Sequence, residues 1–374
     1  MHGEFNRGDG LSICIYSPSE NIWGGGQIYI DHLCRYLNAN GMQAVIATVE
    51  PDSFSQPAIR IPSVASKRKR LTSTSSVVRL LRGRRIKVVI LNDLSALWLA
   101  PVFRVRGFYV ISLLHMYLQR KNADGFGHSR VEYHILRMAS RFAHRVYSVN
   151  KENQSSFPVP VQFVGNFISG WFFREPNLKK KKYDLGLVAR LSPEKNIPLF
   201  IRLVAELNQF APRPITALIV GRGEEEIVAR REIDRLFMSG LIEIRPWVDR
   251  SELPEVFDQL RCFAITSYHE GFPTTLLEAH ARGVPAIATA SAGFAPEFIS
   301  AWGPKTGLAF TPSEIRSDAF LASLIALIDD YAAYFDACRE KAALFTEDMV
   351  LGAIQAGIDN LVHGSALDRS LSKR

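Results

Sequence analysis

The chain has 374 residues, of which 47% are hydrophobic and 22% are charged, and its formal net charge is +8. This length suits two domains, and the composition is ordinary for a globular protein. No apolar run reaches the roughly 18–20 residues that span a bilayer, since the best candidate, residues 88–103, is interrupted by Asn92 and Asp93. The sequence therefore excludes a transmembrane helix.

The N-terminus and the cysteines indicate the compartment. Residues 1–10 are polar and lack the apolar core of a signal peptide. The four cysteines, Cys14, Cys34, Cys262 and Cys338, stand singly without metal-binding or redox spacing. We interpret them as reduced, buried, small apolar residues. Both observations predict a cytoplasmic protein.

The positive charge is confined to the first half of the chain. Residues 1–168 hold 21 lysines and arginines against 10 acidic residues, whereas residues 169–374 hold 24 against 27. The excess is concentrated at 66–70 and 79–87. A basic half indicates an anionic partner, either nucleic acid, lipid headgroups or a phosphorylated substrate, with a solvated basic face as the alternative.

Short apolar runs alternate with amphipathic segments along the first half. A helix is predicted at 27–40, where apolar residues recur at helical spacing before Gly41. Strands are predicted at 11–17, 43–48, 86–92, 107–115 and 144–150. This alternation is typical of a parallel sheet that is covered on both faces.

The same alternation restarts after a lysine-rich segment at 178–184, which we interpret as a surface linker. Helices are predicted at 196–210 and 251–260, and strands at 185–191, 215–221, 242–248, 262–267 and 285–290. The fold class is therefore α/β, with two Rossmann-like doubly wound domains facing one another across a cleft. We place the domains at 1–168 and 180–341, and expect a C-terminal helix at about 342–362 to pack back onto the first.

Ligands of open parallel sheets bind beyond the carboxyl ends of the strands, and a glycine-rich loop follows the first strand. Gly24, Gly25 and Gly26 precede the first helix, where they allow an anion to approach the backbone N–H groups closely. The spacing is not that of a nicotinamide dinucleotide site. A merely tight turn is the alternative.

Two cations follow the strand at 185–191. Arg190 lies at its end and Lys195 lies five residues later at a helix start. Both can converge on one diphosphate, because arginine supplies a fork of donors and lysine a mobile point charge. A surface salt-bridge set is the alternative.

Residues 269–289 place two glutamates, Glu270 and Glu278, around a Gly-Phe-Pro turn. The turn holds Glu270 in a fixed loop where the hydroxyls of a sugar would lie. We predict that Thr274 caps a helix starting at Thr275, whose N–H groups and dipole favour a phosphate. Glu278, one turn in, is placed to accept two hydroxyls of a ribose. Ordinary helix-start carboxylates are the alternative, but they leave the turn unexplained.

At these residues the chain resembles a retaining glycosyltransferase of family 4, which implies the GT-B fold. The resemblance extends over nearly the whole chain and follows the family order. Its parts are the glycine-rich loop, His115, Asn166, ARLSPEKN at 189–196, VGRG at 220–223, and the E-x7-E motif of Glu270 and Glu278. The E-x7-E motif with RLSPEK upstream is the specific part.

The resemblance assigns roles by position. Arg190 and Lys195 match the cations that hold the donor diphosphate. Glu278 matches the carboxylate on the ribose, Glu270 the carboxylate at the transferred sugar, and His115 a histidine near the reacting sugar. The implied catalytic residues are Glu270, His115, Lys195 and Arg190, and the implied donor-binding residues are Gly25, Gly26, Arg190, Lys195, Gly221, Gly223, Glu270, Gly271, Phe272, Pro273, Thr274, Thr275 and Glu278.

The chain departs from the family pattern at several positions. Ala189 replaces a glycine, NFIS at 166–169 replaces Asn-Gly-Val-Asp, and Arg222 replaces an acidic residue. His280 and Arg282 replace apolar or small residues, which we expect to alter the surroundings of the pocket. None of these changes removes a charge that the chemistry requires.

The resemblance implies a reaction on one face of the sugar, in which the leaving diphosphate helps to deprotonate the incoming hydroxyl. The protein then acts electrostatically, by neutralising the diphosphate and fixing both substrates. Arg190, Lys195 and the helix terminus at 275 suit this role, and the sequence contains no Asp-x-Asp. We therefore predict no cofactor and no obligatory metal.

The expected activity is transfer of a hexose from a nucleoside-diphosphate sugar to a hydroxyl of a glycan or lipid-linked acceptor, in polysaccharide or glycolipid assembly. The alternatives are an inactive sugar-nucleotide-binding subunit and a sugar-nucleotide epimerase. No nucleic-acid motif is present, so nucleic acid is not expected as a partner. Peripheral adsorption to the anionic inner face of a membrane is predicted through the basic residues Lys67, Arg68, Lys69, Arg70, Arg82, Arg84, Arg85 and Lys87.

Overall fold

The structure is a computed structural model, and it describes residues 11–18, 25–61, 67–120, 127–177 and 180–371. Trp23 and Gly24 of the glycine-rich loop, together with Leu178 and Lys179, lie outside the described residues. The chain folds into two compact units. We call Met1–Gly165 with Val350–Arg374 the N-terminal domain and Asn166–Met349 the C-terminal domain.

The N-terminal domain is built on a parallel sheet. Within its described residues seven strands are present: β1 Ser12–Ser17, β2 Gln43–Thr48, β3 Ala58–Arg60, β4 Val88–Asn92, β5 Tyr109–Leu114, β6 Arg145–Ser148 and β7 Val161–Phe163. Their order is β3-β2-β1-β4-β5-β6-β7. Because the strand order reverses between β1 and β4, the sheet is doubly wound.

Helices connect these strands. They are α1 Gly25–Ala39, α2 Lys67–Gly83, α3 Leu94–Leu97, α4 Ala100–Val105, α5 Arg130–Ser140 and α6 Asn153–Ser156. Residues of α2, α3, α4 and α5 share one apolar core with alternate residues of the strands, such as Cys14 and Val89. These four helices therefore cover the same face of the sheet. β1 and β4 are buried along their whole length, which explains their continuous apolar sequences.

The C-terminal domain repeats this arrangement. Its described part contains six parallel strands, β8 Tyr183–Val188, β9 Ala217–Val220, β10 Ile242–Arg245, β11 Leu260–Ile265, β12 Ala286–Thr289 and β13 Gly307–Phe310. Their order is β10-β9-β8-β11-β12-β13, so the reversal falls between β8 and β11. Two Rossmann-like α/β domains, the predicted fold class, are thus confirmed.

The helices of the C-terminal domain are α7 Ile197–Phe210, α8 Glu226–Arg235, α9 Leu253–Asp258, α10 Thr274–Ala281, α11 Ala295–Ser300, α12 Asp318–Asp329 and α13 Phe335–Ala343. α7 and α12 pack on one core with β8, β9 and β11. The last helix, α14 Glu347–Leu371, begins in the C-terminal domain and belongs to the N-terminal domain from Val350 onward.

Two predictions from composition are tested by the fold. All four cysteines are buried and unpaired, which confirms that they act as small apolar residues. Among the helices of the described residues, none combines the length and apolarity needed to cross a membrane.

Candidate active site

Several predicted site residues, and the unpredicted Asn92, follow or end strands that flank the reversal point of each sheet. In the C-terminal domain, Arg190 and Lys195 follow β8, and Glu270 follows β11, its neighbour. In the N-terminal domain, Gly25 follows β1, and Asn92 ends β4, the strand beside it. In open parallel sheets the crevice at this point binds ligands.

Lys195 and Glu270 form an ion pair across the reversal point of the C-terminal sheet. The Lys195 Nζ lies 2.6 Å from the Glu270 Oε1, and the Ser267 Oγ donates to the same oxygen at 2.7 Å. The lysine and glutamate side chains are 20% and 14% exposed. The pair is thus shielded from bulk water yet reachable, and it brings together two of the four predicted catalytic residues.

Backbone contacts hold the two loops of this pair together. The Tyr268 N–H donates to the Glu194 carbonyl at 2.8 Å, and the Thr266 hydroxyl donates to the Lys195 carbonyl at 2.9 Å. Asn196 adopts the left-handed conformation, with φ of 48°, that ends the loop and starts α7. Asparagine tolerates this conformation better than most residues. The position of Lys195 is therefore set by the loop that carries Glu270.

Arg190 lies in the same loop with a different environment. Its side chain is exposed, and among the described residues it forms no ion pair with a carboxylate. An exposed guanidinium in the loop that carries Lys195 keeps its five donors available for an anion.

Gly221 and Gly223 have a packing role. A Cβ on Gly221 would lie 2.0 Å from the Ala189 carbonyl oxygen, and a Cβ on Gly223 2.1 Å from the Leu191 carbonyl oxygen. The Leu191 N–H donates to the Arg222 carbonyl at 3.0 Å, so the two segments lie in direct backbone contact. These glycines let the loop that carries Arg190 pack tightly after β8.

The side chain of Phe272 belongs to the core. Its ring packs edge-on against Phe294, Phe298 and Phe345 at centroid distances of 5.1–5.3 Å. Its carbonyl accepts a hydrogen bond from the Asn166 amide. A donor-binding role for Phe272 is thus limited to its backbone, and Asn166 helps to position the loop after Glu270.

Gly293 supports this loop from behind. Its φ is +58°, and a Cβ would lie 2.3 Å from the Glu270 carbonyl oxygen and 2.4 Å from that of Gly271. The Phe294 N–H donates to the Gly271 carbonyl at 3.2 Å. The loop that carries Glu270 therefore requires glycine at this position.

Gly293→Ala is expected to lower the free energy of unfolding by about 1–3 kcal/mol and to reduce sugar transfer, because the new methyl group displaces the Glu270 loop. Urea denaturation and a transfer assay measure both effects. Gly240→Ala is the matched control, since a Cβ there meets nothing within 4 Å. Equal behaviour of the two variants would contradict the supporting role of Gly293.

The start of α10 corrects one prediction. The helix begins at Thr274, and Pro273 is the residue before it, so Thr274 lies inside the first turn and does not cap the helix. Proline cannot offer a capping oxygen, and no side-chain cap is formed. The first N–H groups of a helix have no partner within it. No capping side chain accepts from the N–H groups of Thr274 and Thr275. These N–H groups could therefore donate to a bound anion.

Glu278 is buried in the second turn of α10. Its Oε1 lies 3.1 Å from an Nη of Arg250, and its side chain is 3% exposed. Burial raises the pKa of Glu278, and the nearby Arg250 opposes that rise. Arg250 thus favours the charged carboxylate in a place where burial favours the neutral acid.

His115 stands directly after β5 in the N-terminal domain. Its Nε2 donates to the Asn92 Oδ1 at 2.9 Å, and the Asn92 amide donates to the Ser17 hydroxyl at 3.1 Å. The ring of Tyr29 lies edge-on, 5.0 Å away. Burial lowers the pKa of His115, with Asp93 opposing. The ring is therefore neutral near pH 7, with the Nδ1 as its acceptor.

Gly25 and Gly26 form the start of α1. A Cβ on Gly26 would make an ordinary contact, 3.5 Å from the His115 ring, and a Cβ on Gly25 would meet nothing within 4 Å. Neither glycine has a positive φ. Packing within the described residues does not require glycine at either position.

The departures at His280 and Arg282 have structural roles. The buried Arg282 guanidinium pairs with Asp258 at 2.9 Å and donates to the carbonyls of Phe172, Arg174 and Glu175. His280 bonds to the Thr306 hydroxyl at 2.9 Å. Arg282 thereby anchors residues 172–175 to the end of α10.

Sequence reasoning missed several neighbours of the predicted residues. Arg250, Ser267 and Asn92 each contact one of them, and all three follow or end strands. Arg250 lies in the loop after β10, and Asn92 ends β4. All three could have been proposed from the sequence as polar residues at or just after the end of a strand.

Two family models match most of the chain between them. The family model for glycosyl transferases group 1 matches residues 171–344, and the model for glycosyltransferase family 4 matches residues 23–155. The family models and the fold define a glycosyltransferase of GT-B type. The chain belongs to the family-4-like glycosyltransferases.

Individual relatives are distant. The GtfA subunit of UDP-N-acetylglucosamine–peptide N-acetylglucosaminyltransferase from Streptococcus pneumoniae is 30% identical over 108 residues, which cover 29% of this chain and 21% of that protein. The match thus spans about a fifth of the curated relative. HepE from Anabaena with UDP has a TM-score of 0.75 and 17% identity, covering 94% of this chain and 99% of its own. Sucrose-phosphate synthase from Thermosynechococcus elongatus has a TM-score of 0.74 and 16% identity, covering 95% and 100%. These structures share the fold.

Proposed function

We propose that the protein is a retaining hexosyltransferase that moves a sugar from a nucleoside-diphosphate sugar to a hydroxyl of a glycan or lipid-linked acceptor. The observation that carries this proposal is the Lys195–Glu270 pair at the reversal point of the C-terminal sheet, with exposed Arg190 in the same loop. Cations for a diphosphate and a carboxylate for sugar hydroxyls are adjacent there.

The chemistry follows from the charges. Lys195, Arg190 and the uncapped start of α10 stabilise the negative charge that grows on the departing diphosphate. Once Lys195 binds the diphosphate, Glu270 is released to accept hydrogen bonds from the sugar. Glu278, supported by Arg250, accepts the ribose hydroxyls. Neutral His115 lies in the acceptor-side domain and is proposed to contact the reacting sugar.

This catalysis is proposed to need no cofactor and no obligatory metal, because the protein's own cations and helix terminus supply the positive charge. The acceptor is proposed to belong to polysaccharide or glycolipid assembly. A cytoplasmic location with peripheral membrane attachment is part of the proposal. Its basic contacts are Arg82, Arg85 and Lys87, which are exposed. The side chains of Lys67, Arg68, Lys69 and Arg70 lie outside what the structure describes.

Screening UDP-, GDP-, ADP- and dTDP-sugars should identify one donor that raises the melting temperature and is slowly hydrolysed. Uridine donors come first, since HepE is a UDP complex and the GtfA relative is named for UDP-N-acetylglucosamine. Hydrolysis should persist in EDTA. Loss with chelator and recovery with a divalent ion would overturn metal independence.

The two alternatives give other outcomes in the same screen. Stabilisation by a donor without hydrolysis or transfer to any acceptor indicates an inactive binding subunit. Conversion of the donor into its epimer indicates an epimerase. Either result would replace the proposed transferase.

A further inference from the structure

Helix α5 exposes a row of large apolar side chains. Val131, Ile135, Met138 and Phe142 are 68%, 51%, 52% and 40% exposed. Steps of four, three and four residues place them on one line along the helix and just beyond its end. We call these four residues the α5 ridge. Single exposed apolar residues are ordinary, but a contiguous row marks an interaction surface.

The ridge is not the face that folds the domain. Leu136 and Ala139 of the same helix are buried in the core that also holds α2, α3 and α4. The start of α5 is fixed by Ser129 and Glu132, whose side chains and backbone bond reciprocally as a capping box. A well-formed helix thus buries one apolar face and presents a second one to solvent.

Cations run beside the ridge. Arg130, His134, Arg137 and Arg141 repeat the spacing of the ridge one residue earlier, so they form a parallel row on its flank. Among the described residues, Arg130, Arg137 and Arg141 form no ion pair with a carboxylate. Glu132, the single acidic residue of α5, bonds to Ser129 at the helix start. The charge beside the ridge is therefore positive, and no carboxylate of the described residues neutralises it.

The neighbouring helix extends this surface. Val105 at the end of α4 is 78% exposed and stands between the exposed Arg104 and Arg106. α4 packs beside α5, and Arg82 at the end of α2 donates to the Arg106 carbonyl at 2.8 Å. Apolar and cationic side chains are thus interleaved over adjacent helices on one face of the sheet.

We propose that the α5 ridge inserts into the headgroup region of an anionic membrane, with the flanking arginines on lipid phosphates. An exposed apolar row beside unneutralised cations is the pattern of helices that lie in the membrane interface. Charge complementarity favours anionic lipid over a protein groove, which would have to supply several carboxylates. The proposal goes beyond adsorption through basic residues, because it includes insertion of apolar side chains. It rests on the proposed function only in one respect, namely that a lipid-linked acceptor would explain why the protein binds a membrane.

The connection to the site follows from the chain path. His115 comes directly after β5, and Met116 beside it is 61% exposed. α5 follows β5, so its Val131 end lies toward the carboxyl edge of the sheet, where His115 stands. Docking by the α5 ridge therefore holds this edge of the N-terminal domain near the lipid surface.

Flotation with vesicles of equimolar phosphatidylglycerol and phosphatidylcholine, compared with phosphatidylcholine alone, tests the proposal. The variant Val131→Ser/Ile135→Ser/Met138→Ser/Phe142→Ser should bind anionic vesicles at least about tenfold more weakly than wild type. Arg130→Gln/Arg137→Gln/Arg141→Gln should weaken binding on the order of 100-fold. Ile227→Ser/Phe237→Ser in the C-terminal domain is the matched control, since those side chains are 63% and 90% exposed, and it should bind as wild type does.

Insertion is separated from adsorption by a fluorescent label. The native cysteines are all buried, so Ile135→Cys can be labelled selectively with an environment-sensitive dye, and Phe237→Cys serves as the control. A blue shift on anionic vesicles at position 135 and none at 237 supports insertion. Vesicle binding without a shift at 135 would overturn it and leave adsorption through other basic residues.

Other outcomes also decide the question. Equal vesicle binding by wild type and the serine variant would refute the proposal. Self-association or capture of a protein partner that the serine variant abolishes, without vesicle binding, would assign the ridge to a protein interface instead. These measurements use no nucleotide sugar. Failure of the donor screen would therefore refute the transferase and leave the membrane result standing.

Discussion

Glu270→Gln and Lys195→Ala are each expected to lower sugar transfer about 100- to 1,000-fold while the fold is retained. The two side chains form a shielded ion pair at the reversal point of the C-terminal sheet. A charge contact made in the transition state contributes about 3–4 kcal/mol, and each loss of about 1.4 kcal/mol is tenfold in rate. Steady-state rates with the identified donor and acceptor measure the effect.

An exposed carboxylate outside the candidate site provides a control. Glu226 pairs with Arg230 on the surface of α8. Glu226→Gln should therefore keep transfer within about threefold of wild type. If Glu270→Gln or Lys195→Ala retained more than about a third of wild-type turnover, the assigned role of that residue would be wrong.

Arg282→Leu is expected to lower the free energy of unfolding of the C-terminal domain by about 3–5 kcal/mol. The substitution leaves Asp258 buried without its partner, and it removes the donors of the carbonyls at 172, 174 and 175. An uncompensated buried carboxylate is costly, because the interior solvates it poorly. Urea denaturation followed by circular dichroism measures the change.

Two further variants make the result specific. Arg230→Leu breaks the exposed pair with Glu226 and should cost less than about 1 kcal/mol. Arg282→Leu/Asp258→Leu should be less destabilised than the sum of the single variants, because no unpaired charge remains. Strict additivity would mean that the buried pair contributes no coupling.

Much of the fold could be read from periodicity. The strand predicted at 11–17 is β1, Ser12–Ser17, and the helix predicted at 196–210 is α7, Ile197–Phe210. Strand ends were less accurate, since the strand predicted at 185–191 ends at Val188. Leu191 is apolar and buried, but it packs beneath Gly221 and Gly223 and not in the sheet. A run of apolar residues indicates that the residues are buried, but a residue can be buried by a neighbouring loop as well as by the sheet.

The candidate site was predicted in part. Motif order identified Arg190, Lys195 and Glu270, and the loops after the strands were the places to look. The partners of the buried groups were not predictable, because Arg250 pairs with Glu278 across 28 positions and Asn92 contacts His115 across 23. Such contacts depend on which strands become neighbours. The single-sequence pattern does not report that order.

The α/β alternation, the charged loops after the strands and the family resemblance can all be inferred from the amino-acid sequence. These depend on local spacing and residue type, which the chain carries directly. Which face of an amphipathic helix meets the core, in contrast, depends on how the helix packs in the folded domain. In α5 the apolar residues Leu136 and Ala139 are buried, while Val131, Ile135, Met138 and Phe142 face solvent. Both rows follow helical periodicity, so the sequence does not distinguish them. The packing of α5 against the sheet buries one row and leaves the other exposed.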